Sequence, residues 1–405
     1  MNEMYISRQM ILGSDKSIFG YSVILDDNPL TRFGSPHSVP VSSAMLFDAF
    51  DNLDFERILS KRVNFIQVDD SFLISPLLEA INRKAVVIEI PQKVVADADF
   101  VEFCRTLSQQ GYAFCLDLMD EGQAMSPFLS FCRFAKVDIS GRRWKEIAER
   151  VLALKKFSVQ LVACPTKTKE DFDNCCALGM NLFEGNFFAK SAIVTKKAIS
   201  PSQANLLDLS NSLMRNDEMQ IVERHFKANP ELTFGLLKLI NSSFFQLREK
   251  ITSIRQAIGL LGYDNLYKWV TLMMFSVDYR DSRSNPLFEK ALLRGRLMEL
   301  LAERSTSERS VADSAFVTGI LSLVEVLFQV PIDEIVEKLN VSKDIQDALL
   351  NREGVLGRLL VLCDALDDQA YQQIGEYLTE LKLTARDLWA CETRAIIEYE
   401  KTHEQ

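Results

Sequence analysis

Polar side chains that could serve as ligands lie at the ends of short apolar runs in the first half of the chain. The carboxylates among them are hard oxygen ligands, the type that Mg²⁺ and Ca²⁺ take in proteins. An amide and a thiol accompany them, so the set is mixed and its chemistry depends on which members meet. It comprises Asp26, Gln67, Glu89, Asp117, Asp138, Cys164 and Glu184.

The apolar runs that carry these side chains have the length and composition of β-strands, and helix-sized stretches such as 43–53 and 100–110 separate most of them. The first two runs are close enough to form a hairpin with residues 13–16 as its turn. Eight strands with mostly helical crossovers predict a (β/α)8-type barrel, an α/β fold with its chemistry at the C-terminal ends of the strands. The runs are 5–12, 19–25, 63–68, 85–90, 112–116, 134–139, 158–163 and 180–183.

The bulk composition is that of a folded protein long enough for two domains. Of its 405 residues, 47% are hydrophobic and 25% are charged. The net charge, 46 minus 56 or −10, opposes attraction to nucleic acid or to an anionic membrane surface. The sequence has no apolar run of about 18 residues, and an acid lies where a signal peptide would be basic. We expect a cytoplasmic protein with no nucleic-acid binding and no membrane insertion.

Cysteine and histidine do not form a metal-binding pattern. The eight cysteines show no CxxC pairing, and the three histidines, His37, His225 and His403, are far apart in sequence. Neither a disulfide framework nor a zinc site is predicted, and the adjacent Cys175 and Cys176 are interpreted as packing residues of a helix. We expect no cofactor.

The order of the strands resembles the EAL domain, a barrel phosphodiesterase that cleaves the second messenger cyclic di-GMP with two divalent metal ions. RQMI at Arg8 to Ile11 stands where the family has RQPI, which makes Gln9 a site position. The segments VVIEI, FAKVDIS and LGMNLFEGNFFAKS match the family's strands and their exits. The resemblance implies an EAL-like barrel domain over residues 1–191.

Several positions that the resemblance marks as functional carry other residues. Ser22 stands at the metal-binding Glu of the motif that names the family, and Asp26 at the Arg that meets a nucleotide phosphate. Gln67 stands at a metal-binding Asn, Cys164 at a metal-ligand Glu and Lys167 at a second catalytic Glu. These changes oppose the chemistry of the family, and a lysine adds positive charge where a cation should bind.

The positions that retain the family's residues are Glu89, Asp117, Lys136 and Asp138. Two-metal hydrolysis needs oxygen ligands that hold both ions and generate a hydroxide nucleophile at neutral pH. Glu89 and Asp117 are too few for that task, so we predict no phosphodiesterase activity and interpret the four residues as a salt-bridge network at the barrel mouth. Binding of cyclic di-GMP without hydrolysis is the alternative, although the Asp26 carboxylate would repel a phosphate at close range.

Residues 192–202 contain small residues, two lysines and a proline, which is typical of a linker. Residues 203–405 have a helical pattern throughout. A DNA-binding helix-turn-helix is an alternative for part of this region, but its second helix, 264–272, offers one cation, Lys268, for phosphates and base edges. The segment is better suited to packing.

Within the helical half, LLKLINSSFF and ITSIRQAIGLLG followed by a helix with Trp269 resemble the HDOD family of bacterial signalling domains. These are all-helical relatives of HD-type phosphohydrolases. The resemblance places Ser322 and Leu323 at the His-Asp pair that binds metal in HD enzymes. Phe244, Phe245 and Trp269 are candidate contact residues for a partner, with helix packing as the alternative interpretation.

The sequence thus predicts a multi-domain protein, a degenerate EAL-like barrel joined to an all-α HDOD domain. The favoured function is that of a catalytically inactive scaffold or regulator that binds other signalling proteins in bacterial cyclic di-GMP, kinase or motility pathways, as the families imply. A homo-oligomer is compatible with this hypothesis. A receptor for cyclic di-GMP or another nucleotide and a residual hydrolase are the competing functions.

Overall fold

The computed structural model describes residues 4–27, 40–52, 55–59, 62–90, 98–118, 127–190, 201–240, 251, 253–275, 285–306, 308–339 and 341–402. The chain divides into two compact units. The first comprises Met1–Lys190, Leu366–Gly375 and Ala385–Glu400, and the second comprises Ser191–Ala365, Glu376–Thr384 and Lys401–Gln405. Two C-terminal segments therefore belong to the barrel unit, which the expected division at residues 192–202 did not include.

The first unit is built on a closed barrel of eight strands in chain order. β1 is antiparallel to both of its neighbours, β2 and β8, and the remaining neighbours are parallel. The predicted barrel, its hairpin and all eight predicted strands are confirmed. The strands are β1 Tyr5–Gly13, β2 Ile18–Asp26, β3 Val63–Gln67, β4 Val86–Ile90, β5 Ala113–Leu118, β6 Phe134–Asp138, β7 Gln160–Cys164 and β8 Leu182–Glu184.

Helices connect the parallel strands, as the spacing of the apolar runs predicts. They are α1 Ser43–Asn52, α2 Phe55–Leu59, α3 Asp70–Leu73, α4 Leu77–Ala80, α5 Ala98–Gln109, α6 Trp144–Leu154 and α7 Lys169–Ala177. Short 3₁₀ helices span Pro127–Ser130 and Phe187–Ala189.

One layer of apolar side chains fills the barrel interior. Because successive residues of a strand point to opposite faces, every second residue of a strand points into the barrel. The rings of Phe19, Phe65 and Phe134 pack together in it, with centroids 5.0–6.5 Å apart. Its buried members, which fix the barrel's register, are Ile11, Phe65, Val87, Cys115, Phe134, Val162 and Leu182.

The N-terminal half of β1 is not hydrogen-bonded to β8, because β8 is short and pairs with Ile11, Leu12 and Gly13 at the other end of the strand. The C-terminal helix of the chain, α19 (Ala385–Thr402), covers this edge. The Thr393 hydroxyl accepts from the Ile6 N–H at 2.8 Å and donates to the Ile6 carbonyl at 3.2 Å. An unpaired strand edge is a site for misassociation, and here α19 supplies the missing partners.

A buried ion pair fixes the same helix to the outer face of β1. The Arg8 guanidinium pairs with the Glu400 carboxylate and lies 4.1 Å from the centroid of the Tyr21 ring and 5.3 Å from that of Tyr399. Arg8 and Glu400 are 2% and 6% exposed, so each charge is stabilised chiefly by the other. The last helix of the chain is thus part of the barrel unit.

The described residues of the second unit form helices and the turns between them, which confirms the predicted helical character of this half of the chain. The helices are α8 Pro201–Met214, α9 Met219–Lys227, α10 Pro230–Ile240, α11 Ile254–Met273, α12 Pro286–Ser305, α13 Arg309–Leu321, α14 Val324–Phe328, α15 Ile332–Lys338, α16 Lys343–Asn351, α17 Gly354–Asp367 and α18 Tyr371–Glu380. Two of them, α17 and α18, run partly into the first unit.

Local signals in the sequence set several of these helix ends. The Asn229 and Ser253 side chains accept from the backbone N–H groups of Leu232 and Gln256, which satisfies N–H groups left over at the helix starts. Gly262, with φ +74°, interrupts α11, because glycine takes the left-handed conformation without strain.

α12 and α13 approach closely at two glycines. A Cβ on Gly319 would lie 2.8 Å from the Gly295 Cα, and a Cβ on Gly295 would lie 2.9 Å from the Phe316 carbonyl oxygen. No side chain fits at this crossing, so the two helices are held at backbone contact.

Among the described residues, one stretch, 309–328, is long and apolar enough to cross a membrane by length and composition. Of its most apolar window, 56% is buried inside the structure. That is the pattern of a helix in the core of a folded domain.

If α19 completes the barrel, Thr393→Val should destabilise it, because the substitution removes both hydrogen bonds to a buried backbone unit while keeping the side-chain volume. We expect a loss of about 1–3 kcal/mol in the free energy of unfolding. Chemical denaturation followed by circular dichroism measures it. Thr393→Ser, which keeps the hydroxyl, is the matched control, and equal stability of the two variants would contradict the assignment.

Candidate functional site

Six polar side chains that the sequence singles out lie in a second layer of the barrel interior, next to the core layer. Each is two residues further along its strand than a side chain of the core layer and therefore points to the same face. The pairs are Phe65 and Gln67, Val87 and Glu89, Cys115 and Asp117, Phe134 and Lys136, Val162 and Cys164, and Leu182 and Glu184. On the antiparallel hairpin, Gln9 pairs with Ser22 two positions from Ile11 and Gly20.

The ammonium group of Lys136 is the centre of this level. Its Nζ lies 2.6 Å from Glu89 Oε2 and 2.9 Å from Glu184 Oε2, and donates to Ser22 Oγ at 3.1 Å. The three charged side chains are 5–6% exposed. A positive charge of the protein thus lies between the two carboxylates that end β4 and β8.

Burial and charge oppose each other in this cluster. Desolvation alone would lower the pKa of Lys136, but the adjacent Glu184 and Glu89 carboxylates raise it well above its ordinary value. Burial raises the pKa of Glu89 to about 7, with the Lys136 ammonium acting in the opposite direction. Lys136 therefore stays charged, while two buried carboxylates share one counter-charge.

Asp138, retained in the resemblance, bonds within the loop that follows its own strand. It accepts from the backbone N–H and hydroxyl of Ser140 at 2.9 and 2.7 Å, and lies 3.5 Å from Arg142. Asp117 Oδ2 accepts from the Gln67 amide at 3.4 Å. A single salt-bridge network of all four retained residues stays a prediction.

The remaining predicted positions have distinct environments. Burial raises the pKa of the Cys164 thiol well above its ordinary value, which disfavours the thiolate that binds metals. Lys167 is exposed, and Asp26 is buried at the end of β2. Gln9 accepts from Gln369 Nε2 at 2.9 Å.

These side chains do not fit the two divalent ions of the EAL resemblance. The ammonium of Lys136 lies at hydrogen-bond distance from both Glu89 and Glu184, where a bound cation would have to approach them. Within the described ranges, no three His, Cys, Asp or Glu side chains are grouped so that they could hold a metal ion. Hard cations are held by carboxylates, carbonyls and waters, and Ser22 and Gln67 add no carboxylate to this set.

In the helical unit, Ser322 and Leu323 occupy the end of α13, where the resemblance places a metal-binding pair. Ser322 Oγ accepts from Arg294 Nη1 at 2.9 Å, and Arg294 lies 3.1 Å from Asp364 Oδ1. Leu323 is 2% exposed. A guanidinium and a core leucine therefore stand here in place of metal ligands.

Two of the three candidate partner contacts, Phe244 and Phe245, lie outside the described residues. The third, Trp269, stacks on Phe226 with centroids 6.3 Å apart, and its ring carbon lies 3.4 Å from a Cβ built on Gly235. His225 is half-buried, with Nδ1 3.4 Å from Asn205 Oδ1. Trp269 is half-buried and packs within the helical unit, and its contact with a partner stays a prediction.

The sequence did not predict two contacts in the barrel unit or two exposed apolar side chains in the helical unit. Glu184 was noted at a strand end, but its pairing with Lys136 depends on contacts across the barrel. The contact of Gln369 with Gln9 joins residues 360 positions apart. Phe234 and Leu260, with 71% and 46% exposure, look like ordinary helix residues in the sequence.

Comparison with known proteins assigns the second half of the chain. The HDOD domain family matches residues 203–349. The chain carries an HDOD domain. Together with the closed barrel, this match confirms the two-domain organisation, an α/β barrel followed by HDOD helices, that the sequence resemblance implied.

Two relatives match both the barrel and the HDOD domain. Cyclic di-GMP phosphodiesterase CdgJ of Vibrio cholerae is 26% identical over 96% of this chain and 90% of its own length. Protein YuxH of Bacillus subtilis, whose function is uncharacterised, is 23% identical over 93% of this chain and 94% of its own. The chain is thus related to proteins of cyclic di-GMP signalling.

Two solved structures align with less than half of the chain. One is a standalone EAL protein from Vibrio cholerae with bound cyclic di-GMP, which has a TM-score of 0.36 and 16% identity over 46% of this chain and 92% of that one. Another is Klebsiella pneumoniae BlrP1 with manganese and cyclic di-GMP, with a TM-score of 0.36 and 18% identity over 46% and 55%.

Lys136→Met should destabilise the protein by about 3–5 kcal/mol at pH 8, because it leaves two buried carboxylates without a counter-charge. Such carboxylates have raised pKa values, so the folded state holds protons that the unfolded state has lost. Stability of the variant should then fall as pH rises above the ordinary carboxyl pKa and recover on acidification. Urea denaturation between pH 5 and pH 8 measures this.

The exposed Lys145→Met is the matched control, because it removes the same charge without a buried partner. Wild-type protein should show a smaller loss over the same pH range, since its Lys136 ammonium opposes the rise of the Glu89 pKa and holds it at about 7. An equal pH dependence of Lys136→Met and Lys145→Met would show that Lys136 does not neutralise the two carboxylates.

Proposed function

We propose that this protein is a regulator without phosphodiesterase activity that acts by binding other proteins in a cyclic di-GMP signalling pathway. The observation that carries the proposal is the set of neutral side chains around Lys136: the Ser22 hydroxyl, the Gln67 amide and the Cys164 thiol, whose pKa burial raises well above its ordinary value. Two-metal hydrolysis requires oxygen ligands that hold both cations, and these three positions supply no carboxylate.

Electrostatics supports the absence of hydrolysis. A divalent ion placed at Glu89 would have to displace the Lys136 ammonium or bind beside it, and like charges at such distances in a buried site repel strongly. Ser22 and Gln67 supply neutral oxygens only, and the Cys164 thiol is held protonated. No hydroxide nucleophile would form under these conditions.

The relative CdgJ is named a cyclic di-GMP phosphodiesterase, which makes hydrolysis the competing function. At 26% identity most positions differ, so the relative's activity does not decide which side chains this barrel carries at its mouth. The neutral side chains of Ser22, Gln67 and Cys164 beside Lys136 argue against transfer of the relative's activity to this chain. A receptor without hydrolysis is opposed by the Asp26 carboxylate, buried at the end of β2.

Surface composition supports a protein partner. Phe234 on α10 is 71% exposed and Leu260 on α11 is 46% exposed, and large apolar side chains at that exposure are candidate anchors of a protein interface. The net charge of −10 opposes nucleic acid as the partner. Other signalling proteins are the class that HDOD domains suggest.

Purified protein incubated with cyclic di-GMP and Mn²⁺ or Mg²⁺ should yield no linear dinucleotide, because no metal pair can assemble beside Lys136. Chromatography of the nucleotides measures the turnover. Glu89→Gln is the control, since contaminating hydrolase activity would not respond to it. Metal-dependent turnover that the substitution abolishes would overturn the proposal.

Calorimetric titration of the same samples separates the remaining functions. Saturable cyclic di-GMP binding without turnover, lost in Glu89→Gln, would identify a receptor. The proposed regulator should show no such binding at cyclic di-GMP concentrations up to about 1 mM. A dissociation constant of that size corresponds to a binding free energy of roughly −4 kcal/mol.

Loss of an apolar anchor should weaken partner capture. Phe234→Asp should reduce recovery of a partner from cells that express the tagged protein by at least about tenfold, the effect of about 1.4 kcal/mol at an interface. Quantitative mass spectrometry measures it. Phe47→Asp, at an exposed phenylalanine of α1 in the barrel unit, is the matched control, and equal recovery from both variants would contradict a contact through α10.

A further inference from the structure

A short turn after α17 lies against the mouth of the barrel within the first unit. It comprises Asp367, Asp368 and Gln369 and is called the strap here. Each strap residue makes a polar contact with a residue of the segment that follows β8 or with a residue of β1.

Three contacts hold the strap. Asn186 Nδ2 donates to the Asp367 carbonyl at 2.6 Å, and Lys190 Nζ pairs with Asp368 Oδ1 at 2.5 Å. Gln369 Nε2 donates to Gln9 Oε1 at 2.9 Å. Gln9 is the residue that the RQMI segment places at the vestigial site, so the strap reaches the level of the former active centre.

The space beneath the strap is small. A cavity of about 10 Å³, roughly the room that one water needs, lies between the strap and the ends of β7 and β8. Its walls include Pro165 and Gly185, and Lys167 and Lys190 lie at its border. No nucleotide fits there while the strap is in place.

The backbone of the strap is shaped for this contact. Gln369 has φ +56°, the left-handed region that glycine usually occupies after a helix. A glycine at this position would relieve the strain but could not bond Gln9. The strained conformation is maintained together with a side-chain contact at the mouth.

We propose that the strap is a displaceable cover of the barrel mouth, which any molecule entering from the β1, β7 and β8 side must move. The contacts suit a cover that opens. Lys190 and Asp368 are 44% and 47% exposed, and exposed ion pairs contribute little to stability. The Asp368 carboxylate pairs with Lys190, so the strap brings a negative charge to a border that also carries Lys167.

The position of the strap in the chain gives the opening a consequence. Asp367 is the last residue of α17, so a displaced strap moves the end of that helix. Occupancy of the mouth and the end of α17 are therefore linked through the backbone. This inference does not depend on whether the barrel hydrolyses or binds a nucleotide.

Thiol modification of the full-length protein tests the proposal. Cys164 is half-buried and is the chain neighbour of Pro165, which lines the cavity. Cys176 on α7 is also half-buried, lies away from the strap and serves as the reference thiol. Lys190→Asp, which places a carboxylate opposite Asp368, should raise the rate of Cys164 modification by N-ethylmaleimide about fivefold or more by shifting a local opening equilibrium. Peptide mass spectrometry gives both rates, and the Cys176 rate should not change.

Reversal of the pair is the decisive control. Lys190→Asp combined with Asp368→Lys restores an ion pair and should return the Cys164 rate to within about twofold of wild type. If Lys190→Asp does not fold, Asp368→Asn carries the same expectation of faster modification. A Cys164 rate that is unchanged when the pair is broken, or that stays high when the pair is reversed, overturns the proposal. The readout uses no nucleotide, so it succeeds or fails separately from the proposed function.

Discussion

The barrel mouth of this protein depends on how one buried positive charge is balanced. Lys136 lies in a region from which water is largely excluded, and an unpaired ammonium there would cost several kcal/mol, roughly the whole stability of a typical domain. Glu89 and Glu184 offset that cost from opposite sides. Burial raises the pKa of Glu89 to about 7, the Lys136 ammonium opposes that rise, and the Asp117 and Glu184 carboxylates add to it. Lys136 supplies the one positive charge that both of its carboxylate partners share.

Strand register is the constraint that assembles Lys136 and its partners. The side chains that form the core layer and those that surround Lys136 lie on the same strands, two residues apart, so a slip of one residue in any strand would exchange them for outward-facing neighbours. The aromatic packing of Phe65 and Phe134 therefore supports the chemistry of the mouth directly. In the helical unit, the glycine crossing of α12 and α13 has a similar effect, because it brings Arg294 to hydrogen-bonding distance of Ser322.

Much of the fold could be predicted from the sequence, because its signals are local. The apolar runs predict the strands to within two residues, and Asn229, Ser253 and Gly262 mark helix ends through their own caps and dihedral angles. Gly357, a residue that usually weakens helices, lies inside α17, where its missing Cβ lets the backbone of Arg352 approach. The residue types at the vestigial site were also predictable, but their partners were not. The contacts of Lys136 with Glu184, Gln9 with Gln369 and Ile6 with Thr393 join distant segments, and no periodicity encodes them.

The use of α19 to cover β1 has a consequence for synthesis of the chain. Ile6 and Thr393 are 387 residues apart, so the covering helix is synthesised long after the strand that it covers. At about 5–20 residues per second, Ile6 waits for Thr393 for roughly 20–80 seconds. Throughout that interval the nascent barrel lacks the contacts of α19 with the edge of β1. An unpaired strand edge is a site for misassociation, and the nascent chain is open to it during this interval.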